Sequence, residues 1–275
     1  MIILDGKKLR DKKLLELKEK IKGLPLVLAV IQVGDDEATN IYVKQKKIKC
    51  EELGITFNYV KLPSEVSEEE VSLIIDKLNH DETTGILLQL PLPEHLNERK
   101  LLNMIDYKKD IDGLTDISAS RYYHNEEGIR PCTPEGILAL FKEYNISLDG
   151  KDVAIVGRSD LLGKPLYSML LNLNATVTVC HKKTKDLKKF TKMADIIIST
   201  TGVPNLITED MVKDGAIVID AGITRLNGKV VGDVDFENVS KKCSYITPVP
   251  GGCGPVTISA LMENIYKAYN LSLKN

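Results

Sequence analysis

The strongest constraint on the fold is a regular alternation of helix-like and strand-like segments. An amphipathic helix is predicted over residues 7–22, and the nearly continuous apolar run 26–34 follows it as a strand covered on both faces. A second helix is predicted from Glu37 to Leu53, where Gly54 occupies the position of a C-terminal cap. Such alternation is typical of a parallel sheet covered by helices, so the chain is predicted to have an α/β fold.

Further segments extend this pattern over the first half of the chain. Strands are predicted near residues 55–60 and 85–90, and the helix between them, residues 67–80, opens with the Ser and Glu spacing of a capping box. Residues 106–133 are polar and irregular, and a loop of this length is usually functional or a linker. We therefore expect the first lobe to end in this segment.

The second half contains another series of short apolar strands. It is followed by a hairpin signal at Asn227-Gly228 and by a final amphipathic helix. Strands separated by helix-like segments predict a Rossmann-type lobe. These strands are predicted at residues 153–156, 175–179, 196–198 and 216–219.

Together these patterns predict a two-lobed α/β protein. The N-terminal α/β lobe is expected at residues 1–133 and the Rossmann-type lobe at residues 134–253. The helix over residues 254–275 is expected to pack back on the N-terminal lobe and complete it. A length of 275 residues suits two domains, each of which can bury its own core.

Composition argues against several classes of function. The 37 basic and 39 acidic residues give a formal net charge of −2, so no global field attracts nucleic acid or an anionic membrane. No run reaches the roughly 18 apolar residues of a membrane span, and residues 1–5 do not show the basic region followed by a long apolar core that is typical of a signal peptide. The five scattered cysteines form no CxxC pair, which predicts reduced thiols and no metal site. A soluble, cytoplasmic protein without nucleic-acid or membrane partners is predicted.

The loop after the first strand of the second lobe has the position of a dinucleotide-binding loop. Gly157, Arg158, Ser159 and Gly163 follow a strand and open a helix, where a pyrophosphate would rest on free backbone N–H groups. The motif departs from the standard fingerprint because Ser159 replaces the second Gly. By itself it is equally typical of a tight strand-to-helix turn.

The end of the next strand indicates which nucleotide is preferred. A dehydrogenase that prefers NAD usually places an acid there to bind the ribose hydroxyls, whereas this chain has His181 and Lys182. With Arg158 able to approach from the first loop, this corner favours the 2′-phosphate of NADP over NAD. A solvated basic turn is the alternative for Lys182.

Two later strand ends are candidates for the nicotinamide and ribose side of the same site. Thr200, Thr201 and Gly202 follow one predicted strand, and Ile223 lies just beyond the next. Ligands of open α/β sheets bind at the carboxyl ends of the strands. Ordinary Gly-containing turns are the alternative for these residues.

Tyr42 and Lys46 lie one helical turn apart on the helix predicted from Glu37. Their spacing projects a phenol and an amine from one face of that helix. Taken alone, this pattern is more typical of a solvated helix face than of a catalytic pair.

Six ordered blocks change that interpretation. Together they closely resemble the methylenetetrahydrofolate dehydrogenase/methenyltetrahydrofolate cyclohydrolase family, in the same order and over essentially the whole chain. The Gln-Leu-Pro-Leu-Pro block and the block rich in Pro and Gly are the most specific. The blocks are YVKQK at 42–46, GILLQLPLP at 85–93, KDIDG at 109–113, PCTP at 131–134, VGRS at 156–159 and PVPGGCGP at 248–255.

The resemblance implies a bifunctional enzyme of one-carbon folate metabolism. Such an enzyme oxidises 5,10-methylenetetrahydrofolate with NADP and hydrolyses the methenyl product to 10-formyltetrahydrofolate. The resemblance also implies a homodimer that binds its tetrahydrofolate substrates in the cleft between two lobes.

The resemblance further implies roles for particular residues. Lys46 would be the catalytic amine, Gln89 would hydrogen-bond to it, and Asp112 would bind the pterin. Tyr42 would stack on the folate. The substrate side of the site is expected to include Tyr42, Leu90, Asp112, Pro250 and Gly254.

These residue types suit the chemistry. Hydrolysis of the methenyl carbon needs a group that takes a proton from water and later returns one to a ring nitrogen. A cationic substrate and partial desolvation would lower the pKa of Lys46 and make its neutral amine available. A carboxylate such as Asp112 can accept two hydrogen bonds from the pterin.

Two alternatives remain open at this point. Another two-lobed Rossmann oxidoreductase would explain residues 150–220, but it gives no role to Gln89, Asp112 or the loop at 250–255. A folate- or nucleotide-binding regulator without turnover would need neither Lys46 nor Gln89.

Overall fold

The computed structural model describes residues 1–226 and 228–274. The helices and strands in these ranges, in chain order, are β1 (Ile2–Ile3), α1 (Gly6–Lys20), β2 (Val27–Val33), α2 (Glu37–Leu53), β3 (Thr56–Leu62), α3 (Glu68–His80), β4 (Gly85–Leu88), α4 (Glu98–Leu102), α5 (Asp116–Tyr123), α6 (Cys132–Glu143), β5 (Asp152–Val156), α7 (Gly163–Leu171), β6 (Thr176–Cys180), α8 (Leu187–Met193), β7 (Ile196–Ser199), β8 (Ile217–Asp220), β9 (Thr224–Leu226), β10 (Lys229–Val231), α9 (Phe236–Val239), β11 (Tyr245–Ile246) and α10 (Cys253–Ser272). Among these residues, no helix is both long enough and apolar enough to span a bilayer.

The chain forms two compact units, each with its own parallel sheet. The three-stranded unit consists of Lys13–Cys132 and the residues from Ala260 onward, and the six-stranded unit consists of Met1–Lys12 and Thr133–Ser259. This division differs from the expected one at the start of the chain and at residues 254–259, which belong to the six-stranded unit. Met1–Lys12 belongs to the six-stranded unit because β1 pairs with β11.

The three-stranded unit is built around β2, which pairs in parallel with β3 on one side and β4 on the other. The residues of β2 are almost entirely buried, as the continuous apolar run predicts. Leu14 and Leu17 of α1 share one hydrophobic cluster with Leu261 and Ile265 of α10. The prediction that the C-terminal helix packs back on the first lobe is therefore confirmed.

The ends of the helices follow the predicted capping signals. The side chain of Asp36 accepts a hydrogen bond from the Thr39 N–H at 2.7 Å, and Gly54 ends α2 in the left-handed region with φ of 75°. Ser67 and Glu70 form the predicted capping box of α3. Asp36 and Gly54 thus fix the start and the end of α2, the helix that carries Tyr42 and Lys46.

The six-stranded sheet has the order β1-β11-β8-β7-β5-β6, and all its pairs are parallel. The chain runs outward from β5 to β6 and then continues on the other side of β5 with β7. The strand order therefore reverses between β5 and β7, the position where ligands bind in Rossmann-type sheets. The predicted Rossmann-type lobe is confirmed, with β1 and β11 as two additional short strands.

The hairpin of β9 and β10 was predicted from the sequence, whereas the helix in the segment 106–133 was not. β9 and β10 pair in antiparallel fashion, as the hairpin signal predicts, although Asn227 of that signal lies outside the described residues. The segment 106–133, predicted to be irregular, contains the helix α5. Thr115 caps this helix by accepting a hydrogen bond from the Ser118 N–H at 3.1 Å, a signal that the polar composition of the segment obscured.

Candidate active site

The three-stranded unit brings Lys46 and Gln89 into direct contact. The Lys46 amine donates a hydrogen bond to Oε1 of Gln89 at 2.8 Å. Gln89 follows β4 and extends its ladder, because the Gln89 N–H donates to the Ile31 carbonyl. Its amide Nε2 donates to the Leu90 carbonyl at 3.0 Å, which turns Oε1 toward the lysine. The strand thus holds the acceptor that orients the amine.

Tyr42 lies on the same helix, one turn before Lys46. Its side chain is 49% exposed, whereas the neighbouring Val43 is buried in the core of the unit. An exposed aromatic ring beside a half-buried amine can stack on a planar ligand without losing its anchorage in the helix.

The surroundings of Lys46 lower the pKa of its amine, so that the neutral form becomes available at lower pH. Burial lowers the pKa of the Lys46 amine below its ordinary value of 10.5, and the negative charge of Asp112 opposes this shift. A lysine with a lowered pKa can act as a base near neutral pH. The two opposing effects also show that Asp112 lies within electrostatic range of the amine.

The loop that carries Asp112 is held by a second, buried carboxylate. Oδ2 of Asp110 accepts a hydrogen bond from the Thr115 N–H at 2.8 Å, and Asp110 is only 1% exposed. Gly113 adopts a φ of +67°, and a Cβ at this position would lie 2.7 Å from the Arg130 carbonyl carbon. Asp110 and Gly113 therefore fix the loop on both sides of Asp112.

Sequence reasoning missed two residues that contact this loop. The Cys132 thiol donates to Oδ1 of Asp112 at 3.4 Å, and burial followed by the charge of Asp112 raises the pKa of the thiol well above 9.0. Asn264 of α10 donates from Nδ2 to the carbonyls of Ile111 and Arg130, both at 2.9 Å. No local pattern marks Asn264, since its partners lie far away in the sequence.

The six-stranded unit places the predicted dinucleotide loop at the reversal point of the sheet. Gly157 follows β5 with a φ of +127°, and a Cβ there would overlap Oγ1 of Thr200, the residue that follows β7. A Cβ on Gly163 would overlap the Gly157 carbonyl oxygen. Close packing of strand, loop and helix explains both glycines, and it leaves the start of α7 with the geometry that binds a pyrophosphate.

The basic corner follows two neighbouring strands. Val156 pairs with Cys180 in the register of β5 and β6, so that Arg158 and Lys182 each lie two residues beyond this pair. Arg158, Ser159 and Lys182 are exposed. The His181 N–H donates to Oγ1 of Thr184 at 2.9 Å, which closes the turn that carries Lys182. This corner has the charge and exposure that a 2′-phosphate requires.

The loop after β7 is tied to a carboxylate that sequence reasoning did not find. Oδ2 of Asp233 accepts hydrogen bonds from Thr201 and from Ser199. The Gly202 carbonyl accepts a hydrogen bond from Oγ1 of Thr224 at 2.7 Å, and Ile223 beside it is 52% exposed. The two predicted strand ends are thus joined by hydrogen bonds.

A neighbouring acid, Asp220, gives the unit a pH-dependent stability. Burial raises its pKa from 3.8 to about 6, although the N–H groups of Asp233, Val234 and Gly222 hydrogen-bond to it. Folding therefore binds a proton, and the contribution of this group to stability falls as the pH rises from about 4 to about 6. Relative to Asp220→Asn, wild type should lose roughly 3 kcal/mol of unfolding free energy over this window.

Urea unfolding at several pH values measures this difference. Asp195 is the matched control, since ion pairing with Lys213 lowers its pKa and an Asp195→Asn comparison should change in the opposite direction. Parallel pH profiles for wild type and Asp220→Asn would contradict the prediction.

Two predicted substrate-side residues, Pro250 and Gly254, belong to the six-stranded unit. Pro250 is exposed and follows a cis peptide bond. Gly254 lies in the first turn of α10, where a Cβ would meet no atom within 4 Å. Packing among the described residues therefore does not require glycine at position 254.

Comparisons with known proteins cover nearly the whole chain. A family model described as "Tetrahydrofolate dehydrogenase/cyclohydrolase, catalytic domain" matches residues 4–112, and its companion, "NAD(P)-binding domain", matches residues 131–273. The Bifunctional protein FolD of Aquifex aeolicus is 50% identical to this chain, over 98% of this chain and 95% of the relative.

Several solved structures are similar over nearly the full chain. The bifunctional enzyme FolD, methylenetetrahydrofolate dehydrogenase/cyclohydrolase, from Campylobacter jejuni has a TM-score of 0.96 and 50% identity, and covers 98% of this chain and 99% of its own. The Trypanosoma brucei methylenetetrahydrofolate dehydrogenase-cyclohydrolase, in complex with NADP cofactor and inhibitor, has a TM-score of 0.94 and 32% identity, and covers 100% and 99%.

Proposed function

Because the chain belongs to the tetrahydrofolate dehydrogenase/cyclohydrolase family, we propose that it oxidises 5,10-methylenetetrahydrofolate with NADP and hydrolyses the methenyl product to 10-formyltetrahydrofolate. The single observation that carries the proposal is the half-buried Lys46 amine, oriented by Gln89 at 2.8 Å. Neither the alternative Rossmann oxidoreductase nor simple folate binding gives this pair a role.

The oxidation depends on positioning rather than on acid or base groups. NADP, when bound, supplies the acceptor for the hydride that leaves the methylene carbon. The residues that fit this cofactor are the close-packed glycines Gly157 and Gly163 and the loop containing Thr200, Thr201 and Gly202. Their work is to hold the dinucleotide in one geometry, which is where most of the rate of such a transfer originates.

The hydrolysis uses Lys46 twice. Its neutral amine takes a proton from water as the water oxygen bonds to the cationic methenyl carbon, which gives a neutral tetrahedral adduct. The resulting ammonium then protonates the ring nitrogen N5 as the bond between this nitrogen and the carbon breaks. The hydroxyl proton is released to solvent as the formyl C=O forms on N10. One water is consumed and one proton is released in total.

Three other residues complete the proposed assignments in the three-stranded unit. Gln89 accepts one amine hydrogen and so directs the Lys46 lone pair without adding charge. Asp112, held by the Cys132 thiol at 3.4 Å, accepts hydrogen bonds from the pterin ring N–H and amino groups. Tyr42 offers an exposed ring for stacking. Leu90, Pro250 and Gly254 remain predicted folate contacts.

We assign cofactor preference to the basic corner of Arg158, His181 and Lys182. Replacing Arg158 with alanine should raise the KM for NADP by about ten-fold or more and leave the KM for NAD within about two-fold, because a guanidinium pairs with the 2′-phosphate that only NADP carries. Initial rates with each cofactor measure the two values on one preparation. Equal effects on both cofactors would contradict the assignment.

The proposed function is tested directly by absorbance. Purified protein mixed with 5,10-methylenetetrahydrofolate and NADP should first form the methenyl product and then remove it. Formation of the methenyl product without its decay would show dehydrogenase activity but no cyclohydrolase activity. No change in absorbance would favour a binding protein without turnover. The homodimer and the cytoplasmic location remain predictions from the resemblance and the composition.

A further inference from the structure

Two buried acids in the six-stranded unit have no role in the proposed mechanism. Asp220 ends β8 and is 3% exposed, and Asp233 follows the hairpin of β9 and β10 and is completely buried. Buried carboxylates are costly unless hydrogen bonds compensate them. The groups that donate hydrogen bonds to each carboxylate therefore indicate its structural role.

Asp233 holds the loop after β7 through a single oxygen. Its Oδ2 accepts hydrogen bonds from Oγ of Ser199 at 2.7 Å, from the Thr201 N–H at 2.7 Å and from Oγ1 of Thr201 at 2.9 Å. Its other oxygen, Oδ1, is buried and has no hydrogen-bond partner among the described residues. All the side-chain hydrogen bonds of this acid that the structure shows thus go to the loop that precedes Gly202.

Asp220 holds Asp233 in turn. Oδ1 of Asp220 accepts a hydrogen bond from the backbone N–H of Asp233 at 3.0 Å, and Oδ2 accepts one from the Val234 N–H at 2.9 Å. The Gly222 N–H also donates to Oδ1, at 3.0 Å. The backbone of Asp233 is thereby fixed relative to the end of β8.

The two acids interlock with two glycines in a reciprocal way. A Cβ on Gly222 would overlap the carboxylate of Asp233, and a Cβ on Gly232 would overlap the carboxylate of Asp220. The Asp233 carboxylate fills the space that a side chain at position 222 would need. The Asp220 carboxylate fills the space that a side chain at position 232 would need. This arrangement leaves the carboxylates little freedom to move, so the loop bound to Asp233 is held in one conformation.

We propose that Asp233 is a positioning residue that shapes the loop Ser199–Gly202 for the nicotinamide side of NADP, with Asp220 as its support. The inference rests on the proposed function, which places this cofactor at the carboxyl ends of β5 and β7. Asp233 acts through Thr201 and Ser199 and does not contact the reacting atoms. It therefore sets cofactor binding and hydride transfer but not hydrolysis, which needs no nucleotide.

The test compares Asp233→Ala with Asp233→Asn. The alanine variant should raise the KM for NADP by about ten-fold or more, because three hydrogen bonds to the loop are lost together. Its hydrolysis of preformed 5,10-methenyltetrahydrofolate should stay within about two-fold of wild type. The asparagine variant should keep the KM for NADP within about three-fold, since one amide oxygen can accept the same donors.

Asp195→Asn is the matched control. Asp195 lies just before β7, at the opposite end of the strand from the Ser199 loop, and accepts hydrogen bonds from the Asp152 N–H and the Lys213 amine. Its replacement should leave the KM for NADP unchanged, although it also removes a carboxylate that contacts this strand. If Asp233→Ala does not fold, Ser199→Ala removes one of the same hydrogen bonds and should raise the KM for NADP by about three-fold.

The outcomes separate this inference from the proposed function. Wild-type protein without either activity would refute the proposed function, whatever the variants do. An active wild type whose Asp233→Ala and Ser199→Ala variants keep the KM for NADP would refute the positioning role. Equal losses of dehydrogenase and hydrolase activity, or an Asp233→Asn variant as impaired as Asp233→Ala, would refute it as well.

Discussion

Replacing Lys46 with methionine is expected to reduce hydrolysis of 5,10-methenyltetrahydrofolate by about 10²- to 10⁴-fold, the usual contribution of a positioned acid–base group. Methionine matches the unbranched apolar stem of lysine and keeps its contacts, but it lacks the amine and cannot carry a proton. Binding of NADP should be unchanged, because Lys46 belongs to the three-stranded unit and the dinucleotide loop to the six-stranded unit. Decay of methenyl absorbance and a separate NADP titration measure the two effects.

Lys49 provides the matched control for this experiment. It lies three residues further along α2, is half-buried like Lys46, and pairs with Glu52 at 2.7 Å. Lys49→Met should keep hydrolysis within about two-fold, because an ion pair near the surface contributes little. Full hydrolysis in the Lys46→Met variant would refute the role of this amine as the base.

The rate of hydrolysis is expected to rise with increasing pH. Burial lowers the pKa of Lys46 below 10.5, and only the neutral amine can take a proton from water. Activity should therefore increase as the pH rises through this lowered pKa. A rate that falls over the same range would show that the ammonium form is the one that acts.

Replacing Asp112 with alanine is expected to weaken folate binding in both reactions. Two charge-assisted hydrogen bonds to the pterin would be lost, which corresponds to a rise of about ten- to hundred-fold in the KM for each folate substrate. The KM for NADP should stay unchanged. Steady-state rates with the methylene and the methenyl substrate measure the two folate constants separately.

The control for Asp112 is the nearby acid Asp116. It lies in the first turn of α5, is exposed, and pairs with Arg99 at 3.1 Å. Asp116→Ala should leave both folate constants within about two-fold, as expected for a surface ion pair. Loss of only one of the two activities in Asp112→Ala would assign Asp112 a role other than pterin binding.

A second measurement on Asp112 connects it to the lysine. The negative charge of Asp112 favours the ammonium form of Lys46. Asp112→Asn should therefore move the rise of the hydrolysis rate to lower pH, because the remaining effect of burial lowers the pKa further.

Much of the fold could be predicted because its signals are local. The buried strand β2, the capped helix α2 and the capping box of α3 each depend on residues within one segment, and the structure has them at the predicted places. The strands β1 and β11 were not predicted. Each has two residues, too few for any periodicity, and they form only because distant segments pair.

The candidate site likewise contains residues that have a local sequence signal and residues that have none. Lys46 and Tyr42 were predicted as neighbours from helical spacing, and the resemblance supplied the contact with Gln89. The buried polar residues that hold the site, Asn264 and Asp233, were not found. Their hydrogen bonds join segments that are far apart in the chain, and a single Asn or Asp carries no local signal of such a partner.

The division of the chain between the two units has a consequence for how the protein is made. The core of the three-stranded unit contains Ala260, Leu261, Met262 and Ile265 of α10 beside residues synthesised much earlier. On a ribosome, residues 13–132 emerge long before these side chains exist, so that their apolar surface cannot be fully buried until α10 has been translated. Strand β1 likewise cannot form its pairing until β11 has been translated. The six-stranded unit is therefore complete only after residue 259 has been translated, and the three-stranded unit only after α10. A nascent chain halted before residue 260 would present an incomplete core to the chaperones around it.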